Sequence, residues 1–136
     1  KRVRIVSFVD RKSGYLIAFL LPKMNAQLLM SLALTHVRRI PIKKRRTLTL
    51  DNGVEFSDWE RLEERSGMTI YFAYPYHAWE RGTNENTNGL LRQYFPKSLD
   101  FNLITPRELT HAVSRLNNRE RKRLKFKTPN HVFLNK

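Results

Sequence analysis

The sequence contains no cysteine, few acidic residues and no long apolar run. The absence of cysteine excludes a disulfide-stapled fold, a cysteine-based zinc site and a thiol nucleophile. The best apolar candidate, from Gly14 to Leu34, is interrupted by Pro22 and Lys23, so no segment is predicted to span a membrane. Acidic residues number 12 against 26 lysines and arginines, which gives a formal net charge of +14. A charge this positive favours nucleic acid as the partner over an anionic membrane surface.

The length and composition are those of a single globular domain. The chain has 136 residues, of which 40% are hydrophobic and 11% aromatic. A chain of this size buries about two thirds of its unfolded surface around one core. No repeat, low-complexity tract or Pro/Gly/Ser linker divides the sequence. We therefore predict one domain over residues 1–136, with a basic tail from about residue 119.

The amino-terminal part of the sequence predicts a hairpin, a helix and a strand. Two apolar runs, at 3–9 and 14–21, flank a turn-forming Arg-Lys-Ser-Gly segment and are typical of antiparallel strands. Apolar residues at helical spacing predict a helix over 25–39. After a basic connector at 40–46, the alternating residues Thr47–Leu50 predict a third strand.

A short helix and a fourth strand are predicted next. Ser57 and Glu60 have the spacing of a capping box, and Gly67 is a suitable residue to end the helix. A strand over 68–72 would then follow the strand Thr47–Leu50 through a helical crossover. Because such a crossover joins parallel strands, the sheet is predicted to be mixed.

Two further helices are predicted in the carboxyl-terminal half. One is capped by Asn84 and runs to about Tyr94, since Pro96 prevents continuation. The other begins with Thr105, Pro106 and Glu108, which combine a capping box with proline at the first helical position, and ends near residues 117–118.

Two carboxylates have positions that suggest a metal site. Asp51 follows an apolar strand, and Glu85 falls in the first turn of a predicted helix. Open α/β sheets bind ligands at the carboxyl ends of their strands, where a neighbouring helix can add a second carboxylate, and Mg²⁺ prefers such oxygen ligands. Two other interpretations remain: Asp51-Asn52-Gly53 also fits a tight turn, and Glu85 also suits a helix N-terminus as a favourable charge.

Two long segments resemble a known family. The run PYHAWERGTNENTNGLLRQYFPKSLDF at 75–101 and the run TLTLDNGVEF at 47–56 are similar to the catalytic core of bacterial insertion-sequence transposases of the IS30 family, relatives of retroviral integrases. The runs VDRKSG at 9–14 and KTPNHVF at 127–133 fit the family's second strand and closing segment. The 33 residues between Asp51 and Glu85 are similar to the spacing between the second and third acidic residues of the family's DDE triad.

The resemblance implies an RNase H-like α/β fold, a mixed sheet flanked by helices, which here lacks its first, central strand. In the family that strand lies between the hairpin and the strand matching Thr47–Leu50, and it carries the first catalytic aspartate. We therefore expect an amino-terminal truncation, an unfilled seam in the sheet, lowered stability and two of three metal ligands. Asp10 matches the turn after the family's second strand, so it is not expected to replace the missing aspartate.

The resemblance also implies a polynucleotidyl transferase that cleaves and transfers DNA strands at insertion-sequence ends. Asp51 and Glu85 are the implied catalytic and metal-binding residues, and two Mg²⁺ or Mn²⁺ ions are expected with a complete triad, so this chain alone is expected to be inactive. The implied partners are DNA of the element ends and the target, and further copies of the chain in a homo-oligomer. The implied location is the bacterial cytoplasm, at the nucleoid, without membrane contact. The alternatives are a non-catalytic basic nucleic-acid-binding module and an RNase H-like nuclease.

The predicted DNA contacts are polar and basic residues near the carboxylates or in basic runs. Asn88 and Arg92 share a helical face with Glu85, and Arg81 precedes that helix. The basic runs are predicted to lie along the phosphate backbone, through Lys44, Arg45, Lys122 and Arg123. A solvated surface is the alternative interpretation of the same charges.

Overall fold

The computed structural model describes residues 3–50, 56–72, 90–96 and 98–135. Short 3₁₀ turns occupy Ile42–Lys44, Phe101–Leu103 and Lys122–Leu124. The strands and helices, in chain order, are β1 (Arg4–Val9), β2 (Leu16–Leu21), α1 (Ala26–Val37), β3 (Thr47–Leu50), α2 (Trp59–Ser66), β4 (Thr69–Phe72), α3 (helical residues 90–94), α4 (Pro106–Asn117) and α5 (Pro129–Leu134).

The strands form one mixed sheet in the order β2-β1-β3-β4. The hairpin β1–β2 is antiparallel over six residue pairs, from Arg4↔Leu21 to Val9↔Leu16. Strands β3 and β4 are parallel from Thr47↔Thr69 to Leu50↔Phe72, with α2 as the crossover between them. The predicted mixed sheet is therefore confirmed.

The expectation of an unfilled seam in the sheet is wrong for this structure. β1 and β3 pair directly and antiparallel, at Phe8↔Leu50 and Val9↔Thr49. Buried backbone N–H and C=O groups need partners, so closing the two strands onto each other satisfies groups that an open seam would leave unpaired. Within the described residues this pairing covers two positions, and Thr49 Oγ1, buried beside it, makes no hydrogen bond there.

Helices cover both faces of the sheet. On one face Phe8, Phe19 and Leu48 pack against residues of α1 and α2 in the larger core cluster. On the other face Val9 and Leu16 pack against residues of α3 and α4. Successive residues of a strand point to opposite faces, and here both faces are buried, which explains why the hairpin strands have almost continuous apolar sequences. Within the described residues, no helix combines the length and apolar character needed to cross a membrane.

The predicted caps are observed at the start of α4 and at the end of α2, but not at the start of α2. Thr105 and Glu108 make both hydrogen bonds of a capping box at the start of α4, at 3.1 and 2.9 Å. The capping box predicted at Ser57 is wrong, because Asp58 occupies the N-cap of α2 and its side chain makes no capping bond. Gly67 ends α2 in the left-handed conformation, at φ 73°.

The last helix, α5, was not predicted from the sequence. Thr128 caps it by accepting a hydrogen bond from the N–H of His131 at 3.0 Å, and Pro129 occupies its first turn. Phe133 is buried and stacks on Tyr15 of the hairpin with the ring centroids 4.2 Å apart. The segment after residue 128 is therefore packed against the domain.

Candidate metal site and nucleic-acid interface

The two candidate metal ligands, Asp51 and Glu85, lie outside the described residues, as do Arg81 and Asn88. The structure does describe the strand that leads to the first of them. Leu50, the last residue of β3, directly precedes Asp51 in the sequence and is fully buried. Because β3 and β4 are parallel, their carboxyl ends lie at one edge of the sheet, the edge at which open α/β sheets bind ligands.

Residues 90–94 are the described part of α3, the helix whose predicted start contains Glu85. Leu91 and Phe95 are buried in the core cluster on the α4 side of the sheet, and Arg92 between them is exposed. Arg92 is therefore accessible to a partner, as a DNA contact requires. In residues 3–50, 56–72, 90–96 and 98–135, no three side chains of His, Asp or Glu are grouped so as to hold a metal ion.

Arg45 has a structural role. Its guanidinium donates to three backbone carbonyls, those of Ile40 at 2.9 Å, Ser66 at 3.2 Å and Arg38 at 3.4 Å. These bonds tie the end of α1 to the end of α2 just before β3 begins. Lys44 beside it is half-buried. Each guanidinium nitrogen of Arg45 therefore makes one bond to the protein itself, although its charge remains part of the basic surface.

Lys122 and Arg123 lie exposed in a tight loop between α4 and α5. Backbone hydrogen bonds close this loop, from Phe126 N–H to Arg121 at 2.8 Å and from Arg121 N–H to Lys127 at 3.0 Å. Lys125 and Phe126 both have left-handed backbone conformations, with φ of 56° and 67°. Bulky residues rarely adopt this conformation, and here the backbone hydrogen bonds hold it.

Positive charge is crowded in the same loop. Burial, and then the charges of Arg119 and Arg123, lower the pKa of Arg121 from its usual value. One of its terminal nitrogens donates to the carbonyl of Leu116 at 3.2 Å. Cations held this close together repel one another, so the loop is a surface on which a polyanion would relieve electrostatic repulsion.

A basic cavity, which the sequence analysis did not identify, lies where the β1–β2 turn meets the start of β3. Its volume is about 540 Å³, and it is lined by Asp10, Arg11, Lys12, Arg46 and Thr47. Sequence reasoning treated 11–14 as a turn and assigned it no ligand. Asp10 is buried here and accepts hydrogen bonds from the N–H and Oγ of Ser13 at 3.0 and 2.6 Å. Because Val9 pairs with Thr49 in antiparallel register, Asp10 lies toward the start of β3 rather than beside Leu50, which precedes Asp51.

Comparison with curated sequences finds insertion-sequence transposases. The chain is 40% identical over 133 residues to the transposase InsI for IS30C of Escherichia coli, which covers 98% of this chain and 35% of that protein. It is 51% identical over 87 residues to the transposase for IS4351 of Bacteroides fragilis. This match covers 64% of this chain and 27% of that protein. The chain thus spans between about a quarter and about a third of the length of the curated relatives it matches. No protein-family model matches it.

Comparison with solved structures finds the same fold in a retroviral enzyme. The catalytic core domain of BIV integrase superposes with a TM-score of 0.70 at 23% sequence identity, over 96% of this chain and 85% of that one. That similarity confirms the expected RNase H-like fold. By its sequence, the chain belongs to the IS30 family of insertion-sequence transposases.

Proposed function

We propose that this chain is the catalytic-core part of a DDE transposase, which cleaves and transfers DNA strands at the ends of an insertion sequence. Asp51 and Glu85 would hold Mg²⁺ or Mn²⁺ at the carboxyl end of β3. The observation that carries the proposal is the position of the candidate aspartate directly after Leu50, the fully buried last residue of β3 in an integrase-type sheet.

The chemistry of the donor set fits a divalent cation. Two carboxylates from separate segments match the preference of Mg²⁺ for a small number of acidic oxygens supplemented by substrate phosphates. When bound, such ions polarise the scissile phosphate and activate the attacking oxygen. The contribution of the protein is to position the carboxylates, and the buried Leu48 and Leu50 hold β3 in the core.

DNA is the proposed substrate, and further copies of the chain are the proposed partners in the active assembly. The net charge of +14 supports a polyanionic ligand. The exposed Arg92, Lys122 and Arg123 are proposed phosphate contacts, and Arg81, Asn88 and Lys44 are proposed with them. Because Arg45 is engaged by backbone carbonyls, we propose that it acts on DNA through its charge alone.

We propose that the chain alone is inactive, because the family resemblance implies a third acidic ligand besides Asp51 and Glu85, so the test uses a chimera. The 133-residue stretch of the Escherichia coli IS30C transposase that matches this chain is replaced by the chain itself. We expect the chimera to cleave DNA carrying the element's ends in the presence of Mg²⁺. Asp51→Asn and Glu85→Gln should each abolish cleavage because each removes a proposed metal ligand, while DNA binding stays within about twofold.

Matched controls separate a lost ligand from a lost charge. Asp58→Asn and Glu60→Gln change the same chemical groups at the N-cap and in the first turn of α2, and we expect both to retain cleavage. If the Asp51→Asn and Glu85→Gln chimeras cleave within tenfold of the parent, the proposal is wrong. Cleavage without strand-transfer products would instead identify a nuclease of the same fold.

A further inference from the structure

The basic cavity at the start of β3 gathers cations from separate parts of the chain. Arg11 and Lys12 come from the β1–β2 turn, and Arg46 comes from the connector before β3. A fourth cation, Arg123, comes from the loop between α4 and α5 and donates to the carbonyl oxygen of Lys12 at 3.4 Å. We call these four side chains the basic cluster.

The turn that carries the basic cluster has a fixed backbone. Asp10 closes the turn, since its carbonyl accepts from Gly14 N–H at 2.7 Å and its N–H donates to the carbonyl of Tyr15 at 2.9 Å. Its buried carboxylate holds Ser13, as described above. Arg11 lies over the ring of Tyr71 with its guanidinium carbon 4.6 Å from the ring centre. A cation stacked on an aromatic face has a defined position, so one charge of the cluster is preorganised.

Gly14 permits the approach of the second loop. A Cβ atom at this position would lie 3.0 Å from a terminal nitrogen of Arg123, and the backbone has φ of 73°. Both features favour glycine. The close approach joins the cluster to the crowded cations of the loop between α4 and α5, so that the two form one continuous basic surface.

We propose that the basic cluster binds phosphates of the DNA backbone as a contact separate from the candidate metal site. A strand rises about 3.3 Å per residue, so the cluster, beside Thr47, lies about 10 Å from Leu50 at the opposite end of β3. One phosphate cannot span that distance, whereas successive phosphates of a duplex can. The inference rests on the proposed function because it takes the polyanion to be DNA.

The test is the salt dependence of binding to a duplex DNA oligonucleotide, measured by fluorescence anisotropy on the chain. The variant carries Lys12→Ala and Arg46→Ala, both at exposed positions. Each phosphate contact contributes about 0.9 to the slope of log Kd against log salt, so losing two contacts should lower the slope by about 1.8. The charge-retaining variant with Lys12→Arg and Arg46→Lys should restore most of the slope.

The matched control carries Arg61→Ala and Arg65→Ala, which remove the same charge from exposed positions on α2. We expect its slope to stay within about 0.3 of the parent, since no phosphate contact is lost. Circular dichroism should show the same folded spectrum for all variants.

The outcomes distinguish the two proposals. Equal slopes for the Lys12/Arg46 and Arg61/Arg65 variants would contradict the proposal that the basic cluster binds phosphates, and they would not affect the proposed function. A parent chain whose binding does not respond to salt would contradict DNA binding by phosphate contacts, and with it the proposed function. If the Lys12/Arg46 variant lost binding to phosphatidylserine vesicles but kept DNA binding, the cluster would be assigned to a membrane surface, and the proposal would again be contradicted.

Discussion

The two halves of the sheet are held by different amounts of backbone pairing. The hairpin half, β1 and β2, shares six residue pairs, and the amide of Asn117 covers its outer edge by bonding both the N–H and the C=O of Leu16 at 2.8 and 2.9 Å. The half containing β3 and β4 shares four residue pairs and, within the described residues, is joined to β1 at Phe8↔Leu50 and Val9↔Thr49. Within the described residues, the half that leads to Asp51 thus has the less extensive backbone pairing, and stability is expected to differ across the sheet.

The difference teaches that burial and hydrogen bonding need not go together. Val9 and Leu50 are as deeply buried as Leu16. Yet the buried hydroxyl of Thr49 has no partner in the described part of the chain, whereas the buried amide of Asn117 makes two bonds. The hairpin edge is therefore covered by a specific polar contact, whereas the buried hydroxyl beside the β1–β3 pairing has none in the described part of the chain.

Removing the amide at the hairpin edge should have the largest effect. Asn117→Ala leaves the N–H and C=O of Leu16 without their partner, and we expect the free energy of unfolding to fall by about 2–4 kcal/mol. Denaturant unfolding of the chain and of the variant measures this change in free energy. Asn118→Ala, at the exposed neighbouring position, should cost less than about 1 kcal/mol. If the two variants unfold alike, the hairpin half is not anchored by this side chain.

Removing Arg45 tests the link between the helices and the β3 half. Arg45→Ala deletes the bonds to the carbonyls of Ile40 and Ser66, so stability should fall by about 1–2 kcal/mol. The control Lys43→Ala, exposed on the same connector, should change it by less than about 0.5 kcal/mol. If Arg45→Ala left the free energy of unfolding unchanged and lowered only the affinity for DNA, the guanidinium would not link the helices to the β3 half.

The junction between β1 and β3 should tolerate the loss of a polar group. Thr49→Val replaces a buried hydroxyl that lacks a described partner by a methyl group of similar size, and we expect a gain of about 1 kcal/mol in unfolding free energy. Thr47→Val, at the more exposed start of the same strand, serves as the control, and its unfolding free energy should change little. A loss of stability in Thr49→Val would mean that the hydroxyl is hydrogen-bonded and that the contrast between the halves is smaller than described.

A small alkaline effect is expected in the hairpin half. Burial raises the pKa of Tyr15 above its usual value. The folded state therefore favours the neutral phenol. The contribution of Tyr15 to the free energy of unfolding is fully present below about pH 10, and it is lost as the pH rises further and the phenol ionises more readily in the unfolded chain. Tyr15→Phe should flatten that part of the decline in melting temperature between pH 9 and pH 11. Identical curves for the parent and Tyr15→Phe would contradict the assignment.

The sequence predicted most of the elements, because their signals are local. The alternation in Thr47–Leu50 and the Thr105, Pro106 and Glu108 signature each specify an element within a few residues. The same Thr-Pro signature recurs at Thr128 and Pro129, and it could have predicted α5, which the basic character of the neighbouring residues obscured.

The pairing of β1 with β3 and the basic cluster were not predictable in the same way. Phe8 and Leu50 meet through the folding of the sheet, and nothing in either segment encodes that partner. Arg11, Arg46 and Arg123 converge only because a turn, a connector and a distant loop pack together. The candidate carboxylates were identified by position and family resemblance, and their juxtaposition stays a prediction.

The central claim is that Asp51 and Glu85 together bind divalent metal, and a Mn²⁺ titration of the chain followed by electron paramagnetic resonance tests it directly. The account predicts that bound Mn²⁺ is lost in Asp51→Asn and in Glu85→Gln and is retained in Asp58→Asn and Glu60→Gln. Equal Mn²⁺ binding by the parent chain and all four variants would contradict it.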